Sequence, residues 1–482
     1  MKRYLLCLVV LLTLLSGLLV MTTRVAHAAI SGCITPNGTN VLQGTLGGAN
    51  YTISVPSNWN GTLVLYSHGY IFPDHPLLNP APDSGDPLTG AALLQQGYAL
   101  AGSSYSQNGW AIQQAFHDQI ALLDFFDATC GTPTRTIAAG ISEGGIISAG
   151  LVQLYPDRFA GALPVCAALS GSVGAWNQGL DSAFAFDVLL AGNTLPIVHL
   201  LAPGNPPVGA DFNQAEAVLQ AAQSTPQGRA RLALVAALSD IPGWSDPFSP
   251  EPASADFTTQ EQNQALWLSH DFTFAFFARA DLELRAGGNP SWNTGVDYHV
   301  QLAKSADNEE VRALYQQAGL NLSTDLETLN AAPRIGADLG AVGYLNQYLT
   351  FNGELSVPVL TLHTTGDGLE PPEEEQAYAS VVHSSGDTSM LRQVFAHRAG
   401  HCTITPAEAL TAFQTLIGRL NTGTWGDSTN PDLMNQEATA LGPNLNVLPN
   451  PFPTGTLTPT PPAFLDFQPV LFLRPYPSNG SQ

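Results

Sequence analysis

Arg135-Thr136-Ile137-Ala138-Ala139-Gly140-Ile141-Ser142-Glu143-Gly144-Gly145-Ile146-Ile147-Ser148-Ala149-Gly150-Leu151 is the stretch on which the reading of this chain turns. Residues 135–141 read as a short strand, and 146–154 carry a helix. Between them stands Gly140-Ile141-Ser142-Glu143-Gly144, followed by Gly145. A serine flanked by small residues two before and two after suits a tight strand-to-helix turn, because neighbouring backbone passes close at both positions. The helix that follows points its N-terminus at the serine, which favours developing negative charge. The plain alternative is a glycine-rich turn with an idle serine. The strand on one side and the helix on the other argue against it.

Working outward, the same rhythm continues in both directions. Residues 51–55 alternate apolar and polar, and 62–66 form a β-rich run that ends at Ser67-His68-Gly69. A helix is expected at 88–96, a buried strand at 98–102, and a helix at 112–128 with Ile112, Phe116, Ile120, Leu123 and Phe126 on one side. Residues 161–168 are again strand-like. This βαβα order predicts an α/β fold with a doubly wound, mostly parallel sheet. The rhythm breaks near Ser170, where a helical, aromatic-rich stretch begins, with Pro-rich joints and the run Asp271-Phe272-Thr273-Phe274-Ala275-Phe276-Phe277. We read 170–353 as a large, mainly helical cap inserted into a core made of 29–169 and 354–441. The sheet resumes at 357–363. A helix near 373–382, a strand at 390–396 and a helix at 406–420 follow. From 442 to 482 the chain is a Pro/Thr-rich tail; 451–462 is linker-like, and the apolar 464–473 is expected to dock on the body.

A serine hydroxyl is a weak nucleophile and needs a base that is itself held by a third group. Asp367 stands in Gly366-Asp367-Gly368, just past the resumed strand, where a carboxylate reaches the strand's carboxyl end. A turn-forming Asp before Gly is the plain alternative. Asp387 is the backup, but it precedes its strand. His401, in Ala399-Gly400-His401-Cys402, lies between the last strand and the last helix of the core; His397 is its competitor. The negatively charged oxygen formed during attack needs backbone N–H donors. Glu143 is expected to supply one and Tyr70, in Ser67-His68-Gly69-Tyr70, the other. The Glu143 side chain is expected to face solvent or to orient a neighbour. Trp110 is a candidate for the substrate pocket, with a packing aromatic as the competing reading. Glu373-Glu374-Glu375 suits the positive end of a helix. No residue spacing points to a metal or a dinucleotide, so no cofactor is expected.

Taken together, His68-Gly69-Tyr70, Gly140-Ile141-Ser142-Glu143-Gly144, Gly366-Asp367 and Gly400-His401 resemble the α/β-hydrolase superfamily, including its extracellular serine esterases and prolyl-oligopeptidase-like peptidases. The resemblance covers roughly 51–168 and 357–420, and the cap does not share in it. It implies a Ser142–His401–Asp367 triad and an acyl-enzyme intermediate. The His401-Cys402 pair is also similar to tannases and feruloyl esterases, where a cysteine beside the histidine bonds one beside the serine. Ile141 precedes Ser142 here, so that bridge cannot form. The leading expectation is a carboxylic-ester hydrolase acting on a small-molecule or polymeric ester. A peptidase or amidase with the same machinery is second, and a non-catalytic binding protein on this fold is third. No repeat of propeller-blade length precedes the core, which favours the esterase.

Composition bounds the setting. The 482 residues are 44% apolar and only 11% charged. Lys2 and Arg3, the apolar run 5–20 and Ala26-His27-Ala28 read as an export signal cleaved after Ala28, so a secreted protein is expected. Ile30-Ser31-Gly32-Cys33 offers the minor alternative of a lipid anchor on Cys33. Without the signal, 13 basic residues stand against 39 acidic ones, a formal charge of −26. Such a surface repels phosphate backbones, so no nucleic-acid partner is expected, nor any stable membrane span. Four cysteines remain after export. Cys166 ends a strand and Cys402 follows His401, both on the catalytic side. Cys130 precedes a strand on the opposite side, within reach of Cys33. The expected pairs are therefore Cys166–Cys402 and Cys33–Cys130.

Overall fold

The structure is a computed structural model that describes residues 33–449 and 456–476. The expected signal segment lies outside the described residues, as does part of the linker-like stretch. Among the described residues no helix is long and apolar enough to cross a membrane.

Among the described residues, eight strands precede the tail: β1 (Thr39–Leu46), β2 (Ala49–Pro56), β3 (Thr62–Ser67), β4 (Ala99–Ser103), β5 (Arg135–Ile141), β6 (Gly161–Val165), β7 (Val359–Gly366) and β8 (Leu391–Ala399). In the tail, β9 (Val447–Pro449) and β10 (Leu457–Pro459) pair with each other, and β11 (Phe464–Leu465) joins the main sheet. The main sheet runs β1-β2-β4-β3-β5-β6-β7-β8-β11. From β4 through β8 every pairing is parallel, whereas β1, β2 and β11 are antiparallel edges. The doubly wound, mostly parallel sheet expected from the βαβα rhythm is present. β1, paired antiparallel with β2, lengthens it beyond the sequence reading.

The central strands are buried along nearly their whole length, as parallel strands covered on both faces must be. One face packs on the helices Ile112–Cys130 and Glu143–Leu154; the other packs on Pro87–Gln95 and Pro406–Thr422. Thr405 and Glu408 close a capping box at the start of that last helix. Parallel pairing brings the carboxyl ends of β3, β5, β7 and β8 to one edge. Ser67 lies opposite Gly140, and Gly366 opposite Ala399.

Between β6 and β7 the chain is helical, from Gly171–Phe186 to Leu339–Leu349, and it has an apolar centre of its own around Leu234, Trp267, Phe272 and Tyr315. The aromatic run expected to be helical is so, but from Phe274 to Ala278 it widens to a π-helical turn. The tail docks through Phe464, which pairs with Ala396, and through buried Phe472 and Leu473.

Cys33 and Cys130 form a disulfide across 97 residues. The second expected bridge is absent: Cys166 and Cys402 are free thiols. Topology placed both sulfurs on the same side of the sheet, as they are. Sharing a side brings thiols together, but a bond needs a narrow range of distance and torsion as well.

Candidate active site

Ser142 sits at the end of β5 with φ 56° and ψ −127°, outside the ordinary regions for a side-chain-bearing residue. The turn is held by the Ser142 N–H, which donates to the Val165 carbonyl at 2.9 Å. Its glycines are steric necessities. A Cβ on Gly140 would lie 2.0 Å from the Gly144 carbonyl oxygen, and one on Gly144 would lie 2.0 Å from that of Ser67. The helix Glu143–Leu154 begins immediately after the serine, three residues earlier than expected, so its unpaired first-turn N–H groups face the hydroxyl's neighbourhood.

The structure brings Ser142, Asp367 and His401 together. The His401 Nε2 lies 2.8 Å from the Ser142 Oγ, and its Nδ1 lies 2.8 Å from the Asp367 Oδ2. With the proton on Nδ1, Nε2 is free to accept from the serine, so one tautomer satisfies both contacts. Asp367 is fully buried. Its other oxygen accepts from the N–H groups of Leu369 and Glu370, both at 3.1 Å. The histidine loop is tied down as well. The Gly400 N–H donates to the Gly366 carbonyl, and the Thr364 hydroxyl to the Gly400 carbonyl. The competitors lie elsewhere. His397 pairs with Glu251 at 2.8 Å, and Asp387 accepts from the Leu355 N–H.

Gly69 flanks the serine so closely that a Cβ there would come within 3.2 Å of the Ser142 Cβ. The Tyr70 N–H follows directly, and the His68 carbonyl is held by the Tyr105 hydroxyl at 3.1 Å. The Tyr70 ring rests edge-on against Phe274 of the π-helical turn, with centroids 5.6 Å apart, so the helical insertion meets the core beside the nucleophile. Trp110 is buried, packs edge-on against Trp176, and donates its backbone N–H to Asp281. These contacts are those of a packing residue that anchors the insertion.

Of the two expectations for the Glu143 side chain, solvent exposure is corrected. The side chain is buried and accepts from the Ala111 N–H at 3.0 Å. Burial pushes its carboxyl up to about 8, against the pull of the Ala111 N–H and the Arg285 charge. Glu143 thus holds the loop that carries Trp110, and Asp281 and Arg285 of the insertion grip that loop from the other side.

Several functional neighbours carried no signal in sequence spacing. His363, inside β7, lies 3.2 Å from Glu375 and 3.7 Å from Asp367. Burial pulls this imidazole down, but its bond to Glu375 and the charges of Glu375, Cys166 and Asp367 outweigh that and raise it to about 10. Asp271 of the insertion is partly buried and is held well above the usual carboxylate range, first by loss of hydration and then by the charge of Asp367. Arg398 makes two bonds to Glu408, at 2.8 and 2.9 Å, and a third to the Thr403 carbonyl, bracing the strand end that carries His401.

No family model matches the chain. The o-phthalyl amidase of Xanthobacter agilis is 30% identical over 422 residues, which cover 82% of this chain and 89% of the amidase. Among solved structures, the Pyrococcus horikoshii acylaminoacyl peptidase matches 80% of this chain at 10% identity and a TM-score of 0.36; the match spans 41% of the peptidase. An esterase from Exiguobacterium antarcticum matches 80% of this chain and 100% of its own at 11% identity and a TM-score of 0.33. With its mostly parallel sheet, its serine at the end of β5 and its amidase relative, the chain belongs to the α/β-hydrolase superfamily and, within it, to the family of the o-phthalyl amidase.

Proposed function

We propose that the protein is a serine hydrolase that cleaves carboxylic amides and esters through an acyl-enzyme. The observation that carries this reading is the continuous chain Ser142–His401–Asp367, with both links at 2.8 Å. In this reading Ser142 attacks the carbonyl carbon as His401 takes its proton. Asp367 keeps the imidazole oriented and stabilises its positive form. The N–H groups of Glu143 and Tyr70 hold the oxyanion. His401 then gives its proton to the departing amine or alcohol and draws one from the water that releases the acid.

The sequence reading favoured esters. The amidase relative favours amides of aromatic carboxylic acids, and the Tyr70–Phe274 contact beside the nucleophile supports an aromatic acyl group. Esters remain the second reading, because the same groups serve a better leaving group without change. Export is part of the proposal: the basic start and apolar run support it, and the Cys33–Cys130 bond suits an oxidising compartment.

The test is labelling with a fluorophosphonate probe, followed by a panel of aromatic and aliphatic p-nitrophenyl esters and anilides. Labelling that is lost in Ser142→Ala is expected, with aromatic anilides turned over. A folded wild type that takes no label would sink the enzymatic reading, and turnover of esters alone would select the second.

A further inference from the structure

Cys166 and Cys402 have no part in the hydrolytic scheme, yet they stand against it. Cys166 follows β6 and is fully buried; Cys402 follows His401 and is partly exposed. Both have left-handed backbone, with φ 47° and 55°. The Cys402 sulfur lies 3.6 Å from Nε2 and 3.8 Å from Nδ1 of His401. The two sulfurs and one Asp367 carboxylate oxygen lie within 4.8 Å of one another, the only such triplet of ligating groups among the described residues.

We propose that Cys166, Cys402 and Asp367 form a binding site for a thiophilic divalent cation, zinc or cadmium, and that filling it switches the hydrolase off. The donor set is soft on two corners and anionic on the third, which favours such ions over magnesium or calcium. Tetrahedral zinc, with bonds of about 2.3 Å to sulfur and about 2.0–2.2 Å to oxygen, needs donors roughly 3.5–3.8 Å apart. The triplet therefore has to contract by about an ångström at most, which is within reach of cysteine χ1 rotation. Water or a nitrogen of His401 completes the fourth corner.

The charge balances. The cation enters, each thiol gives one proton to solvent, and the carboxylate stays ionised, so the site keeps a net charge of −1 and no oxidant or reductant is needed. Entry is from the nucleophile's side, where His401 and Cys402 are partly exposed. The consequence follows from Asp367. A carboxylate bonded to a metal holds the imidazole less well, and a cation beside His401 opposes its protonation.

Binding stands on the thiols and the carboxylate alone; only the inhibition rests on the proposed function. The test titrates the reduced protein with cadmium chloride. The thiolate-to-metal charge-transfer absorbance is read alongside the hydrolysis of a p-nitrophenyl ester. The expected result is a band that saturates at one equivalent and at least a tenfold loss of hydrolysis with the same midpoint. A chelator should reverse both, and magnesium chloride should cause neither. Cys166→Ser is expected to keep fluorophosphonate labelling, lose the band and move the inhibition midpoint at least tenfold. The site is overturned if no band forms, if Cys166→Ser keeps it, or if non-reducing digestion finds residues 166 and 402 already cross-linked. A band without inhibition overturns the switch. A band in a protein that never hydrolyses the ester supports the site and counts against the hydrolase instead.

Discussion

In the core, buried Glu408 on a helix grips Arg398 of β8 through two bonds, and buried Glu375, on the helix after β7, is shared among Thr361, His363 and Gln393. In the helical insertion, buried Asp240 has no hydrogen-bond partner for either carboxylate oxygen among the described residues, and Glu261, Asp271 and Glu310 each leave one oxygen in the same condition. The core gives its ionised groups partners and so fixes their geometry. The insertion, where it meets the core at Glu373, gathers acids that raise one another: Asp240 responds to Glu373 and Asp307, and Glu310 to Asp307. A carboxyl without a partner relieves the cost of burial by keeping its proton. Glu408 and Glu375 are therefore held in place by partners, whereas the partnerless acids at the seam between insertion and core hold protons, as Glu143 and Glu373 of the core also do.

The sharpest way to break this contrast is within the core. Asp367→Asn leaves the shape but favours the wrong imidazole tautomer, and kcat is expected to fall about ten-thousandfold with the melting temperature little changed. A loss below tenfold would mean that the core does not fix its histidine through this carboxylate. Arg398→Met leaves Glu408 buried without its counter-charge, held only by Thr405 and the Ala463 N–H. It should cost about 3–5 kcal/mol in urea unfolding and slow hydrolysis through the loosened His401 loop. Removing the Cys33–Cys130 bond as a double serine variant frees a 97-residue span. That change should cost about 2–4 kcal/mol, without loss of kcat, since neither residue nears the serine.

The insertion is tested by pH. Burial holds Asp307 at about 7; burial with the charge of Asp307 holds Glu373 at about 8 and Glu310 at about 9. Carboxyls raised above their unfolded values bind protons more tightly in the native state. Their contribution is full below about pH 4, falls steadily as pH rises above that, and is gone once pH has passed roughly 7 to 9. The melting temperature is expected to drop over that climb, and Glu310→Gln should flatten the upper part of the curve. A flat profile in the wild type would mean these acids are paired in solution. The smallest effect is expected from Phe274→Ala. It removes the insertion's contact with Tyr70, and KM for an aromatic acyl substrate should rise by up to about tenfold while kcat holds.

The division between what could and could not be read follows the same line. Ser142, Asp367 and His401 lie 225 and 34 residues apart in turn, yet each was legible, because each follows a strand whose apolar run and flanking glycine are local features. Cys166, Cys402 and Asp367 were not legible as a set, since no spacing relates them. The Glu373-Glu374-Glu375 run was placed correctly at a helix start, but its burial was not foreseen, because the groups around it, Thr361, His363 and Gln393 at Glu375 and Ser170 at Glu374, come from other segments of the chain. Glu143 was given its N–H role from the motif, while its buried side chain answers to Ala111, 32 residues earlier.

The sequence alone determined the order of strands and helices, the strained serine turn and the residues at the strand ends, because apolar periodicity and glycine sterics act over a few neighbouring residues. The tertiary structure decided which acids lie buried and protonated, that Cys33 and Cys130 bond while Cys166 and Cys402 do not, and where the insertion's aromatics meet the core. Those outcomes depend on distances between distant segments, and desolvation and bond geometry are set only once the chain has packed.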